Sequence, residues 1–140
     1  MSDLYLLDKS ALARVAAHPT VQAALARLDD IGTLATTAVI DLEIGYSARN
    51  LTEFDSIATD RAELYQDLPL TPVVSARARH VQRELARRGQ HRGPGVPDLL
   101  IAATGEMYGA VIVHYDRDFD TIAAVTGQPI EWIVPPGSVP

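Results

Sequence analysis

The chain has 140 residues, no cysteine, 47% hydrophobic and 21% charged residues, enough for one domain to bury a core without cross-links; this excludes a disulfide scaffold, a thiolate metal site, a thiol nucleophile and a disordered chain. The formal charge of −6, from 18 acidic and 12 basic residues, excludes a general nucleic-acid coating protein; a nucleic-acid partner would need clustered basic residues or acids that hold metal. No apolar run approaches the roughly 18–20 residues of a membrane span, and Met1-Ser2-Asp3-Leu4-Tyr5 lacks the basic stretch of a secretory signal, so the expected location is the cytoplasm, away from membranes.

Residues 3–8 read as a short buried strand ending on Asp8. Residues 10–17 read as a helix. Pro19 and Thr20 open another, with Val21, Ala24, Leu25 and Leu28 at helical spacing, and Gly32 ends it. A β-prone stretch over 33–37 precedes a helix over 38–49, with Val39, Leu42 and Tyr46 on one stripe. Asn50 stops that helix, and Thr52 with Asp55 has the spacing of a capping box for the next, which runs to about Gln66.

Residues 68–74 contain Pro69 and Pro72, which lack the amide proton a ladder needs, so a strand there is short or at an edge. Residues 75–88 predict a helix with Val74, Ala78, Val81 and Leu85 as its buried stripe. Residues 89–95 form a loop, Pro97 suits the first turn of a helix running to Tyr108, and Gly109 stops it. Residues 110–114, Ala-Val-Ile-Val-His, read as a central parallel strand. A short helix over 119–125 and a strand over 130–134 follow, then a Pro/Gly/Ser tail expected to fray. The alternation predicts an α/β domain spanning residues 1–140, with a parallel sheet of about five short strands flanked by helices on both faces.

Ligands of such sheets bind beyond the carboxyl ends of the strands. Asp8 ends the first strand, and Asp116 and Asp118 follow the 110–114 strand. Asp98 lies in the first turn of the helix leading into that strand, and Glu43 in the helix after the second strand. Each has an ordinary role open to it. Asp8 can cap a helix, Asp98 can face a helix dipole, Glu43 can sit on a solvated face, and Asp116, Asp118 and Asp120 can serve turns and caps. Brought together, however, these acids repel one another unless a hard cation neutralises them. Oxygen donors without Cys or clustered His select Mg²⁺, with Mn²⁺ as a substitute, over Zn²⁺. Such a centre hydrolyses phosphate esters.

Arginine is concentrated over 75–92: Arg77, Arg79, Arg83, Arg87, Arg88 and Arg92 stand against Glu84 alone. The segment reads either as a solvated helix face or as a phosphate-binding rim, with Arg87, Arg88 and Arg92 nearest Asp98 in the chain. Other motifs fail. Asp116-Arg117-Asp118-Phe119-Asp120 mimics a calcium loop, but Thr121 replaces its glycine and Gly127 its bidentate glutamate. His18, His80, His91 and His114 show no ligand spacing, with His18 and His80 read as surface residues.

Four segments together resemble the motifs of PIN-domain nucleases. Leu6-Leu7-Asp8-Lys9-Ser10-Ala11-Leu12 resembles their opening strand and acid, and Ala38-Val39-Ile40-Asp41-Leu42-Glu43-Ile44-Gly45-Tyr46 their second motif, with the acid at Glu43. Pro97-Asp98-Leu99-Leu100-Ile101-Ala102-Ala103 resembles the third, and Val113-His114-Tyr115-Asp116-Arg117-Asp118-Phe119-Asp120 the fourth, with acids at Asp98 and Asp116. Order, spacing and length are similar to those of VapC toxins of bacterial toxin–antitoxin modules. The resemblance implies a PIN-like fold and a Mg²⁺-dependent endoribonuclease that inhibits translation by cutting structured RNA, tRNA or rRNA. It implies catalytic roles for Asp8, Glu43, Asp98 and Asp116, with Asp8, Asp98 and Asp116 as metal ligands. Asp118 is a secondary candidate, and the Ser10 hydroxyl is placed to orient Asp8. It also implies a homodimer silenced by a VapB-like antitoxin. Such an antitoxin is expected to set an Arg among the acids and to dock on apolar faces around Leu12, Val15 and Leu42. Lys9, where the family more often has Thr or a small residue, joins Arg87, Arg88 and Arg92 as a candidate RNA contact. The alternative is a catalytically inactive PIN-fold module that binds RNA or protein, against which the full set of acids counts; a Mg²⁺-dependent phosphatase is a weaker option.

Overall fold

Alternation along the first strand organises the molecule. In β1 (Asp3–Leu7), Leu6 enters one hydrophobic cluster while Tyr5 and Leu7 enter the other, as a two-residue period requires. The computed structural model describes residues 3–140; Met1 and Ser2, part of the opening read above, lie outside them. The other strands are β2 (Gly32–Thr36), β3 (Gln66–Asp67), β4 (Val111–His114) and β5 (Ile130–Trp132). They pair in parallel in the order β3-β2-β1-β4-β5.

The helices are α1 (Lys9–Leu12), α2 (Pro19–Ile31), α3 (Ala38–Tyr46), α4 (Leu51–Leu64), α5 (Pro72–Arg87), α6 (Val96–Tyr108) and α7 (Arg117–Thr126). Ala11 of α1 and Val21 and Leu28 of α2 cover the Tyr5/Leu7 face, together with Leu34, Val113, Ile133 and Val134. The Leu6 face, shared with Ala35 and Ile112, takes Ile40 of α3, Ile101 of α6, and Phe119 and Ile122 of α7. It also takes Val74, Ala78, Val81 and Leu85 of α5, the stripe expected from the sequence. Among the described residues, no helix is long and apolar enough to cross a membrane.

Two glycines are explained by position. Gly109 caps α6 at φ 68°, a left-handed conformation that a side chain disfavours. At Gly105 a Cβ would collide with the Ile112 side chain, so this glycine sets how closely α6 lies on β4.

Four local expectations are corrected. The helix expected over 10–17 stops at Leu12 and continues as turns; Gln22 Nε2 donates to the Val15 carbonyl at 2.9 Å, satisfying an acceptor the helix leaves free. The cap of α4 is Asn50, whose Oδ1 accepts from the Glu53 amide at 2.8 Å, instead of the Thr52/Asp55 pair. The strand expected over 68–74 lies earlier, at the sheet edge, because Pro72 opens α5 behind the Thr71 cap. The tail is held where fraying was expected: Tyr115 Oη donates to the Val139 carbonyl at 2.7 Å and accepts from the Gly137 amide at 2.9 Å.

This topology creates one crevice. From β1 the chain turns to β2 on one side, while β4 occupies the other. The carboxyl ends of β1 and β4 therefore flank a topological switch point, where open parallel sheets bind ligands.

Candidate metal centre

Three helix starts meet at that crevice, and at each an acid singled out in the sequence binds a backbone amide of the first turn or cap. Asp8 follows β1 and accepts the Ser10 amide at 2.9 Å, starting α1. Asp116 follows β4 and accepts the Asp118 amide at 2.9 Å, starting α7. Asp98, in the first turn of α6, accepts the Gly95 amide at 3.1 Å. The capping and functional readings of these residues are therefore compatible. A cap bond uses one carboxylate oxygen, fixes the rotamer, and leaves the second oxygen for a ligand.

The carboxylates of Asp98, Asp116 and Asp118 each offer an oxygen, all within 4.8 Å of one another. Asp118 thus belongs to the cluster: α7 starts two residues earlier than expected and Asp116 takes the capping role, so Asp118 is not needed as a cap. Asp8 is buried, 4% exposed, and close enough to Asp98 and Glu43 to raise the pKa of both.

The electrostatics record this crowding. Asp98 is pushed up to about 7, chiefly by burial; the Gly95 amide opposes the shift, and Asp8, Asp116 and Asp118 add to it. Burial raises Glu43, helped by Asp8 and opposed by Lys9. Burial and then Asp116 raise Asp118. Carboxylates held near one another at such cost are groups whose repulsion a bound cation would relieve. The donor set is all oxygen, which fits a hard divalent ion.

The remaining candidates divide. The Ser10 Oγ accepts from the Tyr115 amide at 2.8 Å, bridging the α1 start to the loop after β4, in place of the contact with Asp8 expected of it; the Ser10 amide is the group that donates to the Asp8 carboxylate. Lys9 stands beside Glu43. In the arginine segment, Arg77 is committed to Glu106, tying α5 to α6. Arg87 lies 3.6 Å from Glu84 on its own helix, and Arg88 and Arg92 are exposed at the α5 end and in the loop before Asp98.

Two features escape sequence reasoning. His114 is wholly buried at the end of β4, and its Nδ1 accepts from the Asp116 amide at 3.1 Å. The signal is its place two residues before an acid at a strand end. The second is a concavity of about 740 Å³ between α3 and α4, walled by Leu42, Tyr46, Phe54, Ile57 and Tyr65. At its base Arg61, 8% exposed, donates to Asp41 and Thr36. Leu42 is 73% and Tyr46 91% exposed, whereas Leu12 and Val15 are half-buried against the core. The apolar surface expected near Leu12, Val15 and Leu42 thus lies on the α3–α4 side, because Leu12 of α1 and Val15 in the turns after it pack against the core.

Comparison with known proteins identifies the family and agrees with the fold. The PIN domain profile matches residues 5–125. The chain is 48% identical over 135 residues, 96% of each chain, to Ribonuclease VapC51 of Mycobacterium tuberculosis. It is 42% identical over 139 residues, 99% of each chain, to Ribonuclease VapC21 of the same species. In fold it is similar to VapBC2 from Rickettsia felis bound to a promoter DNA fragment, with a TM-score of 0.78, 18% identity, and 92% of this chain and 98% of that chain covered. It is also similar to DNA-bound VapBC from Salmonella typhimurium, with a TM-score of 0.74, 19% identity, and 96% and 100% covered.

Proposed function

Because the chain belongs to the PIN-domain family, and within it to the VapC ribonucleases, we propose that it is a Mg²⁺-dependent endoribonuclease whose catalytic centre is the acid cluster at the β1/β4 crevice. The observation that carries this reading is the convergence of Asp98, Asp116 and Asp118 within 4.8 Å, with Asp98 pushed up to about 7. Asp98, Asp116 and Asp118 would hold the ion, with Asp8 beside them. When bound, Mg²⁺, or Mn²⁺ in its place, neutralises the acids and acts as a Lewis acid toward water and the scissile phosphate.

The chain's own groups do the rest. The caps on Asp8, Asp98 and Asp116 fix the direction of each carboxylate before substrate arrives, so little reorganisation remains for the reaction. Glu43 lies beside Asp8, outside the three-acid cluster, with its affinity for a proton raised; it is the group placed to take a proton from an attacking water. Lys9 offers a cation at the same edge, and exposed Arg87, Arg88 and Arg92, which precede Asp98 in the chain, would supply contacts to substrate phosphates.

The solved neighbours are complexes of VapB with VapC. For this chain, the proposed partner is a VapB-like antitoxin that seats an amphipathic helix on the α3–α4 groove and silences the toxin, which acts as a cytoplasmic homodimer. The proposed substrate is structured RNA, tRNA or rRNA, whose cleavage inhibits translation. The test is cleavage of total RNA by the purified protein with Mg²⁺, Mn²⁺ or EDTA, beside Asp98→Asn. Metal-dependent cuts lost in the variant are expected. RNA binding with no cleavage under any metal would favour the alternative, an inactive PIN-fold binding module.

A further inference from the structure

His114 is an expensive residue for its place. It is fully buried, with its ring 5.1 Å from Phe119 and 4.9 Å from Trp132. Its Nε2 has no hydrogen-bond partner among the described residues. Buried polar atoms are paired in nearly all native proteins, and a phenylalanine would fill the same aromatic slot without burying an unpaired ring nitrogen. The one return visible for the imidazole is at Nδ1, which accepts the Asp116 amide at 3.1 Å. An amide can only donate, so Nδ1 carries no proton and the neutral ring carries it on Nε2.

The Asp116 amide is the hinge of the local geometry. Asp116 sits at φ −151° and ψ 122°, extended, at the point where the chain turns from β4 into α7. Two residues on, the Asp118 amide is held by the Asp116 carboxylate. Tyr115, between His114 and Asp116, is pinned in turn by the Ser10 hydroxyl. One buried ring and one hydroxyl thus fix two successive amides ahead of the two cluster acids that α7 presents.

Taking the acid cluster to be a metal site, as proposed above, we infer that His114 is a positioning residue for it: the imidazole Nδ1 holds the Asp116 backbone so that Asp116 and Asp118 reach the ion together. It touches neither ion nor substrate. Removing the acceptor leaves the acids in the chain but lets the turn relax, so metal affinity falls before the fold does.

The experiment compares the full chain with His114→Phe, which keeps the aromatic slot and removes the acceptor. A second variant, His114→Asn, places an amide oxygen close to where Nδ1 was but fills the slot poorly. Mn²⁺ binding is measured directly by titration, melting temperature by circular dichroism, and kcat and KM on RNA. His114→Phe should bind Mn²⁺ at least tenfold more weakly and lose kcat with KM little changed, while melting near the wild type. His114→Asn should recover Mn²⁺ affinity to within about threefold of wild type despite a lower melting temperature. Long-range nitrogen–proton NMR on wild type should show Nδ1 unprotonated. Wild-type Mn²⁺ affinity in His114→Phe would overturn the inference, as would two variants whose affinities simply follow their melting temperatures. Should His114→Phe fail to fold, His114→Asn decides alone, and Mn²⁺ binding weakened tenfold or more in that variant overturns the inference. Failure of the wild type to bind Mn²⁺ at all would instead remove the metal-site reading on which the inference rests.

Discussion

The acid crevice and the α3–α4 groove are built on opposite plans. The crevice draws its residues from four separate stretches of chain, around 8, 43, 98 and 116–118, and the sheet topology brings them together. The groove is made almost entirely from one hairpin, with α3 and α4 facing each other over Arg61 and its partners. The crevice is polar and held by caps on rigid helix starts. The groove is apolar, with exposed Leu42, Tyr46 and Phe54, and its hairpin adds Ile40 and Arg61 to the buried set. A rigid polar centre suits chemistry, and an open apolar trough suits a partner helix. Breaking one should leave the other working.

The largest effect is expected at the crevice. Asp98→Asn or Asp116→Asn keeps an oxygen acceptor for the backbone amide but removes a charge that the proposed ion would use. RNA cleavage should fall at least about a hundredfold, roughly 2.7 kcal/mol in the barrier. Binding of a helical antitoxin segment to the groove should be unchanged. A cleavage rate within about tenfold of wild type would remove that residue from the ligand set.

The mirror experiment acts on the groove. Leu42→Asp puts a charge on a wall residue that is 73% exposed, so stability should move by no more than about 0.5 kcal/mol. Affinity for the antitoxin helix should fall at least tenfold, because an apolar anchor becomes a desolvated charge. RNA cleavage by the free protein should stay as it was. Loss of cleavage with antitoxin affinity intact would reverse the assignment of the two regions.

A smaller effect, on stability, sharpens the electrostatic contrast. Asp98 has its pKa raised from 3.8 to about 7 in the folded protein. Between roughly pH 4 and pH 7 the folded chain keeps a proton that the unfolded chain has released. Stability of the metal-free protein should therefore fall as pH rises through this window, and the deficit should be complete above it. With solvent reaching the half-open site, the deficit should come to about 1–2 kcal/mol, or a few degrees of melting temperature. Asp98→Asn should flatten the slope. Excess Mg²⁺ at pH 8 should restore the melting temperature of wild type and not of the variant. A wild-type melting temperature that rises across this window without metal would show that Asp98 is not held in this way.

The same contrast explains what is legible in the sequence. Asp8 and Asp116 are visible in a linear chain because they follow strands, and Asp98 because it opens the helix that leads into one; each could be a cap or a dipole partner, and it is their joint occurrence that makes them legible. Asp118 is harder: whether it or Asp116 caps α7 depends on where the helix starts, and helix ends are the least certain feature of a pattern. The groove is opaque for a different reason. Val39, Leu42 and Tyr46 form a helical stripe like any core stripe, and only the fold reveals that Leu42 and Tyr46 face outward. Nor does a sequence announce that Arg61 is buried. It is recognised by Asp41, twenty residues away, once α3 and α4 have met. His114 has no metal-ligand spacing, and its contact is with a backbone amide, which side-chain spacing cannot reveal.

The smallest effects belong to the arginine segment, where the structure separates residues that the sequence groups. Arg77 pairs with Glu106 across two helices, so its removal should cost stability and leave RNA binding alone. Arg88 and Arg92 are exposed beside the loop that leads to Asp98; Arg87 has only an exposed partner on its own helix, at 3.6 Å, and such a pair holds it weakly. These three are free to meet phosphate. Phosphate contacts add affinity without reading sequence, so replacing all three by Ala should weaken unrelated RNAs by similar factors. Each lost contact should reduce the slope of log K against log salt by about 0.7 for a single strand. The titration is best done in an Asp98→Asn background, which binds without cutting, with Arg77→Ala as the control. A slope unchanged in the triple variant would send the RNA path to another face. A slope altered by Arg77→Ala but not by the other three would mean that the Glu106 pair opens when RNA binds.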